Sequence, residues 1–236
     1  MTGPLVSSQD LPAWLRPLAE RVPELNKELR NRRWVAQLKK MRAVRQAAVL
    51  VLIAGSAEED ATVLLTRRAS RMRAHAGQVA FPGGAIDPTD EGPLAAALRE
   101  AEEETGVDLD GVRPFAVLDP LFVPPSGFDV TPVLAFWERP SPVRPVNPEE
   151  TDLVRAVRVG ELTDPRNRIM GKRGPIFKGP AFDLEDMFVW GFTGGLLSAV
   201  LAGAGWERPW DRRRVVDVSA ILQREPDGPG TPEPVP

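Results

Sequence analysis

Four glutamates crowd into five positions of the chain, at Glu100 and at residues 102–104. With about 100° of rotation per helical residue, Glu100, Glu103 and Glu104 fall on one side of a helix, and Glu102 falls outside this trio. The repulsion between these carboxylates is unfavourable unless a cation neutralises it, and hard divalent cations prefer carboxylate oxygens. We therefore predict that Glu100, Glu103 and Glu104 bind Mg²⁺ or Mn²⁺, and that Glu102 is a surface charge.

The helix that carries these glutamates is predicted from Pro93 to Thr105. Proline suits the first turn of a helix, and Gly106 suits its C-terminal stop. An apolar stripe suited to packing lies beside the glutamate trio and contains Leu94, Ala97, Leu98 and Ala101. A run of charges usually indicates only a solvated helix, but the residues upstream favour a metal site.

Two consecutive glycines, Gly83 and Gly84, follow a short segment, Gln78–Phe81, that we predict to be a strand. Glycine lets the backbone turn tightly and approach a phosphate without a side-chain clash. We therefore predict that both glycines contact a phosphate of the substrate beside the acidic helix.

The segment before the glycine pair is strongly basic. No acidic residue lies between Asp60 and Asp87, whereas that stretch carries four arginines and a histidine: Arg67, Arg68, Arg71, Arg73 and His75. Because arginine forks onto phosphate oxygens, we predict that the four arginines bind substrate phosphate. The alternative is a solvated basic loop that pairs with surface acids. The histidine, the only one in the chain, is expected to form structural hydrogen bonds rather than to act as a catalyst.

Short apolar runs predict a middle of the chain in which strands outnumber helices. Strands are expected at Ala47–Ala54, Thr62–Thr66, Val112–Phe122, Val130–Trp137 and Leu153–Val159. The first two are expected to pair across the polar turn Gly55–Asp60. A turn at Val123–Gly127 is expected to join the third and fourth.

Two further helical segments flank these strands. The spacing of apolar residues predicts helix over Leu11–Val35, interrupted by Pro17 and Pro23, and over Glu185–Ala202. The tail from Pro226 to Pro236 is rich in Pro and Gly, which predicts disorder.

Composition excludes several functional classes. The chain has no Cys, so a disulfide or thiolate metal site is excluded and a cytoplasmic location is expected. No apolar run reaches the length of a membrane span and no secretion signal is recognisable, so no membrane association is expected. With 30 basic and 33 acidic residues, the net charge of −3 argues against a nucleic-acid partner.

The span Gly84–Val107 resembles the Nudix box, whose pattern is Gly, five residues, Glu, seven residues, then Arg-Glu-apolar-any-Glu-Glu-any-Gly-apolar. Residues Arg99–Val107 match the second half throughout. The first half departs twice, because Asp90 takes the usual place of Glu and eight residues rather than seven separate it from Arg99. The preceding span, Leu64–Gly84, is similar to the motif that precedes the box in coenzyme A pyrophosphatases.

This resemblance implies the Nudix fold, an α/β (α+β) architecture in which a mixed sheet lies between helices as an α/β/α sandwich. It implies that Glu100 and Glu104 are the principal metal ligands and that Glu103 is a third ligand or the catalytic base. Arg99 is predicted to assist catalysis by holding a carboxylate in a bidentate pair, or else to stabilise the helix through an ion pair. Glu150 is the candidate for an additional acidic ligand, with Glu149 and Asp152 as rivals.

The resemblance also implies the reaction and the organisation of the chain. The expected reaction is metal-dependent hydrolysis of coenzyme A or a derivative to 4′-phosphopantetheine and adenosine 3′,5′-bisphosphate. Hydrolysis of ADP-ribose or NADH, or a nucleotide-sensing module without catalysis, are the alternatives. A homodimer is possible. The expected domains are a helical extension at 1–44, a Nudix hydrolase domain at 45–205, a C-terminal extension at 206–225 and a disordered tail at 226–236.

Overall fold

A large mixed sheet forms the centre of the molecule in the computed structural model, which describes residues 2–31, 45–69, 77–124, 126–175 and 177–222. Within these residues the sheet contains nine strands in the order β1-β6-β8-β2-β3-β4, with β5 on β2, β7 on β8 and β9 on β3. The strands are β1 (Gly3–Pro4), β2 (Arg45–Ala54), β3 (Thr62–Arg68), β4 (Val79–Ala80), β5 (Gly83–Ala85), β6 (Val112–Val117), β7 (Leu121–Val123), β8 (Phe128–Trp137) and β9 (Thr151–Arg158).

The two longest strands, β2 and β8, run parallel to each other along nine residue pairs. Both are buried along most of their length, which explains why they appear in the sequence as nearly continuous apolar runs. The expected pairing of β2 with β3 is confirmed only at the turn, where Ile53 and Ala54 oppose Val63 and Thr62. The main partner of β3 is β9, and a register shift lies between Arg67 and Arg68.

Helix α3 (Pro93–Thr105) packs on one face of the central sheet, and its bounds match the predicted ones. Gly106 ends it in the left-handed conformation, with φ of 68°, as expected for a helix stop. Its buried face consists of small residues, Ala96, Ala97 and Ala101, which lie against even-numbered residues of β2 such as Leu50. The helix therefore lies close to the sheet and to the turn before β5.

The opposite face of the sheet is covered by α1 (Arg16–Glu20), α2 (Val22–Asn31) and α5 (Gly191–Gly203). The predicted N-terminal helix is confirmed only from Arg16 to Asn31, and there as two helices, because Pro17 and Pro23 each lie in a first turn rather than inside one helix. Residues 11–15 of that prediction are not helical. Residues 32–35 of that prediction lie outside the described residues. The helices on both faces give the α/β/α sandwich.

A second, smaller sheet follows β9 and a short helix, α4 (Val159–Thr163). Among the described residues it contains four strands in the order β12-β11-β10-β13. They are β10 (Arg168–Arg173), β11 (Phe177–Asp183), β12 (Phe188–Val189) and β13 (Val215–Asp217), and helix α6 (Val218–Leu222) follows. This sheet was not expected from the sequence.

Two further element predictions are wrong in part. The predicted helix Glu185–Ala202 begins only at Gly191, because Phe188 and Val189 pair with β11 as an edge strand and Gly191 turns the chain with φ of 66°. The predicted strand Val112–Phe122 is two strands. Between them, the backbone N–H of Asp119 leaves the ladder and donates to Oδ1 of Asn26 in α2 at 2.9 Å.

None of the described helices combines the length and the apolar character that a membrane crossing requires. The predicted disordered tail, Pro226–Pro236, lies outside the described residues.

Candidate active site

We call Pro82–Gly84, which leads into and begins β5, the glycine turn; it lies beside β2 and contacts the acidic helix α3. The backbone N–H of Gly83 donates to Glu104 Oε2 at 3.1 Å. A Cβ atom on Gly84 would lie 2.5 Å from the carboxyl carbon of Glu100, whereas a Cβ atom on Gly83 would lie 2.3 Å from the carbonyl oxygen of Ala48. Gly84 therefore makes room for the Glu100 carboxylate, and Gly83 makes room for the backbone of β2. Phosphate binding by these glycines stays a prediction.

Glu104 has an unusual electrostatic environment. Burial raises its pKa to about 7, and the negative charges of Glu100 and Glu150 act in the same direction. The hydrogen bond from Gly83 and the positive charge of Arg68 oppose this rise. Burial also raises the pKa of Glu100. Because a nearby cation would favour the charged form of both groups, the pair is electrostatically suited to a metal ion.

Arg99 connects the loop before α3 to the glutamates. Its Nε and Nη2 atoms donate to the two carboxylate oxygens of Asp90 at 3.0 and 2.9 Å, and Nη2 also donates to the carbonyl oxygen of Ala85 at 3.2 Å. Its Nη1 atom donates to Glu100 at 3.0 Å and to Glu103 at 3.1 Å. The hydrogen bonds from Arg99 to Asp90 lower the pKa of the Asp90 carboxyl. Both roles predicted for Arg99, a bidentate pair and an ion pair along the helix, are compatible with this geometry.

The predicted glutamate trio divides by exposure. The side chain of Glu100 is 19% exposed and that of Glu103 is 58% exposed, whereas Glu104 is partly buried against the glycine turn. Glu102 is exposed, in line with a surface charge. Glu100 and Glu104 therefore line the turn, and Glu103 lies at the solvent side of the group.

The two described members of the basic segment face opposite sides of β3. Arg68 lies near enough to Glu104 to lower its pKa. Arg67 points to the other face, where its Nε atom donates to Asp152 Oδ1 at 2.7 Å and its Nη1 atom donates to the carbonyl oxygen of Asp186 at 3.0 Å. The geometry thus favours Arg68 over Arg67 for contact with a substrate at the glutamates. Arg71, Arg73 and His75 lie outside the described residues.

Glu150 comes to the site from a distant part of the sequence. Its carbonyl oxygen accepts a hydrogen bond from the backbone N–H of Ala69 at 2.8 Å, which ties the start of β9 to the end of β3. Its charge acts on Glu104, whereas its rival Asp152 is engaged by Arg67. Of the rival ligands, the geometry favours Glu150, which stays a prediction.

The carboxylates of Glu100 and Glu104 fit a hard divalent cation that retains some of its bound water molecules. Among residues 2–31, 45–69, 77–124, 126–175 and 177–222, no three acidic or histidine side chains converge as a preformed metal cage. Mg²⁺ is commonly bound through one or two carboxylates, with waters and substrate phosphates as its other ligands. Glu100 and Glu104 supply two such carboxylates on adjacent turns of α3.

Two sets of contacts could not be inferred from the sequence, one at the site and one on the opposite face of β3. Asp90 was noted only as a departure from a pattern, and its bidentate pair with Arg99 became visible in the structure. Asp186 carried no signal, because its contacts to Arg67 and Arg155 span 119 and 31 positions of the chain.

Comparison with known proteins gives a consistent family match. The profile of the NUDIX domain matches residues 44–177. A Cronobacter sakazakii protein described as uncharacterized Nudix hydrolase NudL is 39% identical over 170 residues, which cover 70% of this chain and 85% of that protein. The Escherichia coli K12 protein of the same description is 37% identical over 180 residues, with 74% and 84% covered. Among solved structures, the Nudix hydrolase RenU of M. smegmatis aligns with a TM-score of 0.41 and 27% identity, over 50% of this chain and 73% of that one.

Proposed function

This chain belongs to the Nudix hydrolase family, and on that premise we propose that it hydrolyses the diphosphate bond of coenzyme A or a close derivative. The family match supports an enzyme that acts on diphosphate bonds, and members of the family generally use a divalent cation. The products would be 4′-phosphopantetheine, or its acyl form, and adenosine 3′,5′-bisphosphate.

One juxtaposition carries the proposal: the Glu104 carboxylate lies between the Gly83 N–H, the Glu100 carboxylate and the charge of Arg68. Acidic groups that can hold a cation and a basic group that can bind a phosphate oxygen are thus side by side. A diphosphate resists attack by hydroxide because of its own negative charge, so it needs this combination.

The choice of coenzyme A rests on the segment Leu64–Gly84, which resembles the motif of coenzyme A pyrophosphatases. Arg68, at the end of β3, is the described arginine of that segment that faces the glutamates. Coenzyme A carries a 3′-phosphate besides its diphosphate, so a cationic segment beside the glutamates has a physical use.

We assign Mg²⁺ or Mn²⁺ to Glu100 and Glu104. A bound divalent cation neutralises phosphate oxygens and lowers the pKa of water. The protein's own groups supply the rest: Gly83 orients the Glu104 carboxylate, and Arg99 orients Glu100 and Glu103. We propose that Glu103, the most exposed of the three, accepts a proton from an attacking water. Arg68 would offset the negative charge of the substrate.

The test is to incubate the purified full chain with coenzyme A and Mg²⁺ or Mn²⁺ and to identify the products by mass spectrometry. We expect the two named products, no turnover in the presence of a chelator, and a loss of about 100-fold or more in Glu104→Gln. Glu102→Gln is the matched control, because Glu102 is an exposed glutamate on the same helix.

Each negative result would have a distinct meaning. Cleavage of ADP-ribose or NADH without cleavage of coenzyme A would overturn the substrate and leave the enzyme class intact. Equal activity of Glu104→Gln and the parent would overturn the metal assignment.

A further inference from the structure

Two arginines on paired strands point away from the acidic helix and toward the second sheet. In the register of β3 and β9, Leu65 opposes Arg155, and Arg67 opposes Leu153. Directly opposed residues share a face, and so do residues two apart along a strand, so Arg67 and Arg155 are diagonal neighbours. Leu65 and Leu153 pack with apolar residues of the second sheet, which identifies the face.

Both arginines bind the same residue, Asp186. Arg67 donates from Nη1 to the carbonyl oxygen of Asp186 at 3.0 Å, and Arg155 donates from Nη1 to its Oδ1 atom. Each arginine also forms an ion pair with another residue: Arg67 with Asp152 at 2.7 Å, and Arg155 with Glu161 at 2.6 Å. The two arginine side chains are each only 29% exposed. Such partly buried, doubly anchored pairs are screened less by salt than exposed pairs.

Asp186 fixes the position of the strand that follows it. It lies in the four-residue connection Leu184–Met187, which is closed by a hydrogen bond from Leu184 N–H to the Met187 carbonyl oxygen at 3.0 Å. Strand β12 comes next and contacts β4, and β4 leads into the glycine turn. The residue after Arg67, Arg68, donates its backbone N–H to the carbonyl oxygen of Gln78, just before β4, at 3.0 Å. The second sheet is therefore fastened at the active-site edge of the central sheet.

An aromatic and cationic surface follows directly after β12. Trp190 is partly exposed, with the guanidinium carbon of Arg173 5.3 Å from its ring centre and the ring of Phe177 edge-on at 5.4 Å. We call these three residues the Trp190 cluster. Aromatic faces stack on nucleobases, and a guanidinium binds phosphate, so the cluster matches the chemistry of a nucleotide that carries an additional phosphate.

We propose that the second sheet forms the wall that binds the nucleotide arm of the substrate, with the Trp190 cluster as the contact surface. Arg67 and Arg155 are then positioning residues that lock this wall in place through Asp186. This inference rests on the proposed function for the identity of the substrate. It also assigns Arg67 a role that differs from direct phosphate binding.

The experiment compares the full-length parent with Asp186→Asn and Trp190→Leu. Asp186→Asn removes the carboxylate that Arg155 binds and keeps the carbonyl that Arg67 binds. For each protein, kcat and KM are measured with coenzyme A, and inhibition constants are measured for adenosine 3′,5′-bisphosphate and for 4′-phosphopantetheine. Arg213→Ala is the control, because Arg213 is 94% exposed and pairs with Asp211 elsewhere on the surface.

Both variants are expected to raise KM and the inhibition constant of adenosine 3′,5′-bisphosphate by about fivefold or more, as for the loss of one stacked base. We expect kcat and the inhibition constant of 4′-phosphopantetheine to stay within about twofold, and the control to match the parent. If Asp186→Asn does not fold, Arg155→Lys tests the same contact between Arg155 and Asp186. If Asp186 and Trp190 had purely structural roles, their variants would show lower thermal stability and lower kcat. The inhibition constants of the two products would then not respond differently.

Three results would overturn the inference: an unchanged inhibition constant for adenosine 3′,5′-bisphosphate in Trp190→Leu, an equal rise for both products, or a fall in kcat at constant KM. If the parent does not cleave coenzyme A, the proposed function fails separately. Calorimetric titration with adenosine 3′,5′-bisphosphate then still tests the wall, and equal affinity of parent and Trp190→Leu would overturn it.

Discussion

Arg99 and Asp90 form a bidentate ion pair, with hydrogen bonds of 3.0 and 2.9 Å to the two carboxylate oxygens. The Asp90 side chain is only 6% exposed, and its Oδ2 atom also accepts the backbone N–H of Asp87 at 2.8 Å. The loop before α3 thus fixes Asp90, Asp90 fixes the guanidinium plane, and the remaining nitrogen of Arg99 holds Glu100 and Glu103. Asp in place of the usual Glu is sufficient for this pair.

Asp90→Asn is therefore expected to lower activity although Asp90 itself touches no predicted metal ligand. Loss of one charged acceptor frees Arg99 to rotate, and the loss of such an orienting partner commonly costs about 10–100-fold in metal affinity or activity. The measurement is kcat/KM as a function of Mg²⁺ concentration.

Asp87→Asn is the matched control, because Asp87 is 59% exposed and its Oδ2 atom lies 3.8 Å from Arg99. Comparable losses in the two variants would mean that the general negative charge of the loop, rather than the bidentate geometry, supports Arg99.

The two adjacent glycines are expected to respond differently to alanine. In Gly84→Ala the new Cβ meets the flexible end of Glu100, so the fold is retained while the carboxylate moves. We expect the free energy of unfolding to stay within about 1 kcal/mol and activity to fall about tenfold or more. In Gly83→Ala the Cβ meets the backbone of Ala48 and Val49 at 2.3 and 2.6 Å, so we expect a destabilisation of about 2 kcal/mol or more.

Urea unfolding with chelator present measures the first quantity, and coenzyme A hydrolysis measures the second. A Gly84→Ala protein with full activity would show that Glu100 need not occupy the space beside the turn.

The acidic helix was predictable because its signals are local. Proline at its start, glycine at its end and the apolar stripe all lie within one segment, and periodicity alone places Glu100 and Glu104 on one side. The bounds Pro93–Thr105 accordingly match the structure. The strands β2 and β8 were predictable for the same reason, since each is a continuous apolar run.

The different contacts of Arg67 and Arg68 could not be predicted from local signals. Both are arginines in one basic segment, and the difference shows only in their tertiary contacts: Arg67 binds Asp152 and Asp186, whereas the charge of Arg68 acts on Glu104. Strand β12 was missed because it has only two residues and gains its structure from pairing with β11. The helix-like spacing in Glu185–Ala202 is a local signal. The pairing of β12 with β11, which overrides it, is a tertiary contact that local spacing does not reveal.

The stability of the metal-free protein is expected to fall as pH rises from about 5 to about 8. The pKa of Glu104 is raised from 4.5 to about 7 in the folded state, so over this range the folded state binds more protons than the unfolded state. The stabilisation that Glu104 contributes is therefore fully present at pH values below its pKa in the unfolded state. It is lost as the pH rises through its pKa in the folded state. At about 1.4 kcal/mol per pKa unit, and with partial exposure, the loss is on the order of 2 kcal/mol.

Urea unfolding in chelator at several pH values measures this slope. Glu104→Gln should reduce it and leave the part that comes from the raised pKa of Glu100, and Mg²⁺ should restore stability at neutral pH because it binds the ionised carboxylates. The depressed pKa values of Asp60 and Asp164 act at lower pH, where they reduce stability as pH falls, so they leave the stated window unaffected. An identical slope in parent and Glu104→Gln would contradict the assigned origin.

Glu103→Gln is expected to affect the chemical step rather than metal binding. Glu103 is more than half exposed and is bound by Arg99, whereas Glu100 and Glu104 contact the glycine turn. A general base typically contributes about 100-fold or more, so kcat should fall by roughly that factor. Raising the Mg²⁺ concentration should not restore it, while the same increase should partly restore Glu100→Gln. Recovery of Glu103→Gln at high Mg²⁺ would instead identify Glu103 as a third ligand, because only a binding defect responds to concentration.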